Sequence, residues 1–208
     1  MKIYKFRPLA NEHDFCRARQ ILETGYFWCT TFWELNDPME GVFYSKVNLI
    51  DEIYNEKKEY KICSFSGEKA FENPALWGYY ANGFRGIAIE IEIDRDKVEP
   101  IIYNDDIPSA ESCDKEIILK ILTSKFKTWH HEYEYRFLTN DSDNFHKIGN
   151  ITAVYFGNPY GDTAHSNVIQ KNKNLNTYNT LKKRLTTIAE DMKINCKNIS
   201  IVGIKVKK

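Results

Sequence analysis

The residues of this chain whose types and spacing suit chemistry are concentrated in Trp129-His-His-Glu-Tyr-Glu-Tyr-Arg-Phe137. Read as a β-strand, whose side chains alternate between faces, the stretch puts Glu132, Glu134 and Arg136 on one face and Tyr133, Tyr135 and Phe137 on the other. Two carboxylates roughly 7 Å apart, with a guanidinium at the next same-face position, form a charged row. Such a row suits acid/base work or the stabilisation of developing charge, with Arg136 as the structural partner. On a solvated face it is no more than a same-strand ion pair. His130 joins the Glu face and His131 the aromatic one, so the adjacent pair does not present two nitrogens to one ion. His13, His146 and His165 show no ligand spacing, and no histidine metal site is expected.

Three further segments combine polar groups with large aromatics. In Tyr4-Lys-Phe-Arg7, Lys5 and Arg7 offer phosphates a point charge and a planar fork. Cys63-Ser-Phe-Ser66 supplies two hydroxyls, Ser64 and Ser66, outside any nucleophile-elbow context, and Trp77, Tyr79 and Tyr80 are either core or a floor on which a planar base stacks. Asn36-Asp-Pro-Met-Glu40 reads as an Asx-type turn that stiffens a connection. Glu40 is expected to pair with a basic residue, cap a helix or line a cleft.

These residues need a scaffold, and the pattern supplies one. Residues 2–6 read as a first strand, and Asn11 and Gly25 bound a helix that buries Phe15, Ala18 and Leu22. Residues 26–30 form a second strand, 45–58 a polar helix and 60–66 a strand. Asn73 and Pro74 start a short helix over 73–81. In Gly86-Ile-Ala-Ile-Glu-Ile-Glu-Ile93 the isoleucines make a buried row, with Glu90, Glu92 and Ala88 on the outer face. Residues 98–103 are expected to pair with that strand. A helix from Ser112 carries Ile117, Ile118, Ile121 and Leu122 on one stripe. Residues 152–156 read as a strand, 161–176 as a mobile loop, and a last helix buries Leu181, Leu185, Ile188 and Met192 before a strand over 199–206. The expected fold is one α+β domain over residues 1–208, with a split, mainly antiparallel β-sheet core and flanking helices.

Twenty-nine basic residues balance twenty-nine acidic ones among 208, so no global field marks a nucleic-acid or membrane-surface binder. Five widely spaced cysteines without a CxxC pair argue against a disulfide framework or a zinc site. With no apolar run near the roughly 20 residues that span a bilayer and no export signal, a cytoplasmic protein without a membrane partner is expected.

The order Tyr-Lys-aromatic-Arg, Asn-Asp-Pro-x-Glu-Gly, Cys-Ser-Phe-Ser, Leu-Trp-x-x-Tyr-Ala, Gly-Ile-Ala-Ile and Trp-x-x-Glu-x-Glu-Tyr-Arg resembles the bacterial domain-of-unknown-function family 2971, over about residues 1–157. At the level of fold the layout also resembles the ADP-ribosyltransferase superfamily. That resemblance implies NAD as the substrate, Lys5 or Arg7 on the nucleotide, Ser64 or Ser66 with Tyr79 or Tyr80 at the nicotinamide, and Glu134 as the catalytic carboxylate. Lys5 stands where Arg or His is usual, and no Ser-Thr-Ser triplet is present. The implied activity is ADP-ribosyl transfer to a protein or nucleic-acid acceptor, or NAD cleavage, in bacterial phage defence or conflict. Physically, a fixed carboxylate stabilises the oxocarbenium-like state of a breaking N-glycosidic bond, and Glu132 is placed to orient or deprotonate the acceptor. Two alternatives remain. Glu90, Glu92, Glu132, Glu134, Asp37 and Glu40 suit a Mg²⁺-dependent nuclease or phosphodiesterase. The cleft also suits a non-catalytic nucleotide-binding sensor.

Overall fold

The computed structural model describes residues 1–37, 39–161 and 166–200. In chain order the elements are β1 (Lys2–Pro8), α1 (Glu12–Thr24), β2 (Tyr26–Trp28), β3 (Tyr44–Ser45), α2 (Ile50–Glu59), β4 (Lys61–Gly67), α3 (Glu68–Phe71) and α4 (Pro74–Tyr80). There follow β5 (Gly86–Glu92), β6 (Glu99–Pro100), β7 (Ile102–Asn104), β8 (Ser109–Ala110), α5 (Lys115–Leu122), β9 (Ser124–Phe126) and β10 (Glu134–Thr139). The chain continues with β11 (Phe145–Lys147), β12 (Asn150–Gly157), α6 (Asn167–Gln170), α7 (Lys173–Asp191) and β13 (Asn195–Ile199). Helices thus combine with mainly antiparallel strand pairing. The chain groups into two compact units: Met1–Tyr26, Gly67–Ile93 and the described residues from Ile148 onward form the first, and Phe27–Ser66 with Asp94–Lys147 the second.

In the first unit the strands lie in the order β13-β12-β5-β1. Ile3, Ile87, Ile89 and Ile91 are fully buried, the row that the alternation predicts. Each such side chain contributes roughly 1.5–3 kcal/mol. Their face is covered by α1 and α7. Asn11 caps α1 by accepting from Asp14 N at 2.9 Å, and Gly25 ends it in the left-handed region at φ 71°. On α7 the buried stripe is Leu175, Tyr178, Leu181, Leu185 and Ala189. The stripe expected at Ile188 and Met192 is therefore rotated by one residue, and Met192 is exposed.

The opposite face packs on α3 and α4, where Tyr4 meets Phe71 at 4.5 Å and Phe6 meets Trp77 edge-on at 5.2 Å. This face is not the outer one that Ala88 and Glu90 were expected to occupy. Glu90 is buried, while Glu92 is exposed. A register shift between Ile151 and Ala153 explains how a carboxylate is tolerated there: the bulge turns Thr152 Oγ1 onto Glu90 at 2.7 Å. Tyr4 and Tyr155 hydroxyls donate at 3.2 and 3.0 Å and Lys2 Nζ stands at 3.1 Å. Burial alone would raise the Glu90 pKa, but the bonds from Thr152, Lys2 and Tyr155 outweigh it and hold the group below its usual value.

In the second unit β4, β10 and β6 pair side by side and antiparallel. Residues 98–103, expected to pair with β5, pair elsewhere: after a 3-10 turn at Arg95–Lys97, β6 pairs with β10, and β7 pairs in parallel with β9. Phe32, Ile53, Ile62, Ala110, Ile118, Ile121 and Leu122 form the core. The helix expected from Ser112 starts at Lys115, because the Asp114 side chain caps Ile117 N at 3.0 Å. Likewise α2 begins only at Ile50, after β3 and a 3-10 turn at Val47–Leu49. Lys57 is buried within it, its ammonium 4.1, 4.5 and 4.9 Å from the ring centres of Phe32, Tyr54 and Phe43 and donating to Gly41 O. Burial pushes its pKa down to about 8.

The stretch expected to be a loop over 161–176 contains α6 and the start of α7, where Asn172 accepts from Leu175 N at 3.0 Å. Residues 162–165 lie outside the described residues, as does most of the strand expected over 199–206.

Candidate functional site

Glu132 and Glu134 meet, by a route other than a continuous strand. Residues 127–132 form a 3-10 helix, Tyr133 takes the left-handed conformation at φ 44°, ψ 50°, and β10 starts at Glu134. Both carboxylates turn onto one ammonium, Lys125 Nζ, at 2.7 and 3.1 Å. Lys125 comes from β9, and its Nζ also lies 4.7 Å above the Trp129 ring.

Alternation along β10 places Arg136 on the face of Glu134, as the spacing predicts. Its Nε donates to Glu134 Oε1 at 2.7 Å, and its Nη2 donates to both oxygens of Glu40, at 2.6 and 2.7 Å. Nη1 donates to Leu122 O. Glu40 also reaches Lys125 at 3.5 Å. The row thus looks inward: Arg136 is 1% exposed, and Glu40, Glu132 and Glu134 are buried. Three carboxylates against two cations leave one net negative charge when all are ionised.

Neighbouring strands complete the setting. In the β4/β10 register Ser66 lies opposite Glu134 and Ser64 opposite Arg136, and Ser64 hydrogen-bonds the Glu134 carboxylate. Tyr103, opposite Lys125 in the β7/β9 pair, accepts from Glu134 N at 2.8 Å. The His130 ring stands 5.1 Å from Tyr103 and 4.8 Å from Tyr133.

The charges tune one another. Burial alone would raise the Glu134 pKa, yet Arg136 and Lys125 outweigh it and hold the carboxyl at about 2. Burial opposes the charge on Lys125, but Glu134, Glu132 and Glu40 raise its pKa. At Glu40 burial wins over Arg136, and the pKa is raised. Stability from Glu134 is therefore complete above its unfolded value of roughly 4.3 and is lost as pH falls towards 2. Protonation of Glu40 acts in the opposite sense and favours the folded state. Urea midpoints measured from pH 6 to pH 2 should fall for the wild type, and in Glu134→Gln they should start lower and fall less. Parallel curves would contradict this assignment.

The remaining residues that the resemblance assigns to the nucleotide, with Trp77, belong to the first unit. Lys5 and Arg7 are half-buried on β1. Trp77 is fully buried, edge-on to Phe6, stacked flat on Phe84 and donating from Nε1 to Phe71 O at 2.8 Å. Its rings are committed to the core, which removes it as a stacking floor for a ligand. Tyr79 is 66% exposed and meets Tyr80 edge-on at 6.3 Å.

Sequence reasoning missed Lys125 and Tyr103. Lys125 leaves a local trace, being seven residues before Glu132; Tyr103 leaves none. Among the described residues no three His, Cys, Asp or Glu side chains are grouped to hold a metal ion; an ammonium stands among the carboxylates instead. No helix among them is long and apolar enough to cross a membrane, and the cysteines are free. Searches against family models, curated proteins and solved structures found no match to the chain.

Proposed function

We propose that the protein is an ADP-ribosyltransferase-like enzyme that cleaves the nicotinamide N-glycosidic bond of NAD and passes ADP-ribose to water or to a macromolecular acceptor. The observation that carries this reading is the pairing of β10 with β4. It sets Ser66 opposite an ionised Glu134 and brings the Ser64 hydroxyl onto its carboxylate. A middle strand ending in serine and a later strand carrying the glutamate are the features that the superfamily resemblance leads one to expect.

In this reading Glu134 stabilises the positive charge that develops on the ribose as nicotinamide leaves. Its two oxygens accept from Lys125 and Arg136, one cation each, and the Ser64 hydroxyl adds a third bond to the carboxylate. Lys125 and Arg136 fix its orientation and keep it ionised. Glu132, on the same ammonium, takes the proton of the acceptor. A role in bacterial conflict or phage defence, in the cytoplasm, is the setting that the resemblance suggests.

Incubation of the full chain with NAD and cell extract as acceptor source tests the proposal. Release of free nicotinamide above the uncatalysed rate is expected. No release under these conditions contradicts it.

A further inference from the structure

Outside the carboxylate network, Lys193 takes a positive φ alone, whereas one turn of the first unit strings three such residues together. Asn82, Gly83 and Phe84 follow one another at φ 50°, 62° and 64°, a left-handed turn that residues with side chains adopt unfavourably. Many contacts hold it. Gly83 N and Phe84 N donate to Trp77 O at 3.1 and 3.3 Å, and Arg85 N donates to Asn82 O at 3.3 Å. The Phe84 ring lies flat on Trp77, 5.2 Å between centres and 5° between planes.

Two glycines allow the chain to close around the turn. A Cβ on Gly157 would stand 2.2 Å from Phe84 O, and one on Gly86 would stand 2.4 Å from Arg7 O. The Tyr178 hydroxyl lies 2.7 Å from Gly157 O and 3.3 Å from Gly86 O, which ties both glycines to α7.

The residue that this frame presents is Arg85. Its carbonyl accepts from Leu9 N at 3.2 Å, so its backbone is fixed on both sides. Its side chain is answered far less well. Nη2 reaches Asn82 Oδ1 only at 3.5 Å, and among the described residues the buried Nε–H has no acceptor and no carboxylate pairs with the guanidinium. Arg136, by comparison, has every nitrogen matched to an oxygen. A rigid mount for an unanswered planar fork is suited to an oxyanion, which accepts from two of its N–H groups at once. Tyr79, exposed just before the turn, offers a flat ring on the same segment.

We propose that Arg85, presented by the left-handed turn at residues 82–84, binds a phosphate-bearing anion through Nε–H and Nη2–H. The Asn82 side chain, at the limit of hydrogen-bond distance, swings aside to admit it. This site does not depend on NAD cleavage and stands whether or not nicotinamide is released.

Calorimetric titration of the full chain with inorganic pyrophosphate, and separately with ADP, tests the proposal. Both should bind the wild type, and Arg85→Gln should weaken both by at least about tenfold. Arg85→Lys keeps the charge but not the fork, and should weaken them nearly as much. Tighter binding of ADP than of pyrophosphate identifies a nucleotide ligand, and equal affinities identify the phosphate group alone. Should Arg85→Gln fail to fold, Asn82→Gly decides: glycine suits the positive φ, the fork is retained, and binding should be at least as tight as in the wild type. No binding of either probe to the wild type, unchanged affinity in Arg85→Gln, or loss of binding in Asn82→Gly overturns the proposal.

Discussion

Replacing Arg136 with methionine is expected to destabilise the protein by about 3–5 kcal/mol, because it leaves Glu40 and Glu134 buried without their main counter-charge. Loss of the bond to Leu122 O adds to the effect. Lys125 cannot compensate for both carboxylates, since it is already shared among Glu132, Glu134 and Glu40. Against the roughly 5–15 kcal/mol typical of folded domains this is a large fraction, measurable as a lower urea midpoint with an unchanged slope. Adding Glu40→Met and Glu134→Gln to the variant should recover part of the loss, because the stranded charges are then gone. A cost below about 1 kcal/mol for Arg136→Met alone, the range of an exposed ion pair, would show that the network is solvated.

Trp77→Ala should cost a similar amount, about 3–5 kcal/mol. The side chain is fully buried and makes three ring contacts, with Phe6, Phe71 and Phe84. The Nε1 bond to Phe71 O is lost as well. Trp77→Phe keeps most of the volume and should cost distinctly less. The same pair separates two roles for the residue. A tryptophan that stacks on a ligand would lose affinity on replacement by alanine with little change in stability, whereas a core tryptophan loses stability first. Thermal unfolding without ligand distinguishes them.

The parts of the fold legible in the sequence are those fixed by local rules. Asn11 and Gly25 bound α1 because a side-chain cap and a left-handed glycine act within one turn. Asn73 and Pro74 start α4 for the same kind of reason. The pairing of Glu134 with Arg136 was legible because two residues on a strand share a face. What escaped depends on distant or irregular backbone. Glu40 is 96 residues from Arg136 in sequence, and nothing local ties the Asn-Asp-Pro turn to β10. The 3-10 helix over Lys127–Glu132 and the left-handed Tyr133 break the period of two on which the strand reading relied, although the two glutamates still converge. Glu90 looked exposed by alternation, but a bulge at Thr152 supplies the donors that let it be buried.

The site consequently differs in character from the row that the spacing suggested. Its carboxylates are held by cations in a buried setting, where an ionised group is fixed in orientation and its field is weakly screened. The same burial means that the proposed chemistry and stability rest on the same residues, so any activity must be read per folded molecule.

Nicotinamide release from NAD by Glu134→Gln, normalised to the folded fraction from circular dichroism, tests the proposed role most directly. Glutamine keeps the shape and can still accept from Arg136, but it lacks the charge that the oxocarbenium-like state requires. A fall of at least about 100-fold relative to the wild type is expected, the range seen when a single electrostatic stabiliser is removed. Release at the wild-type rate by the folded variant would contradict the account.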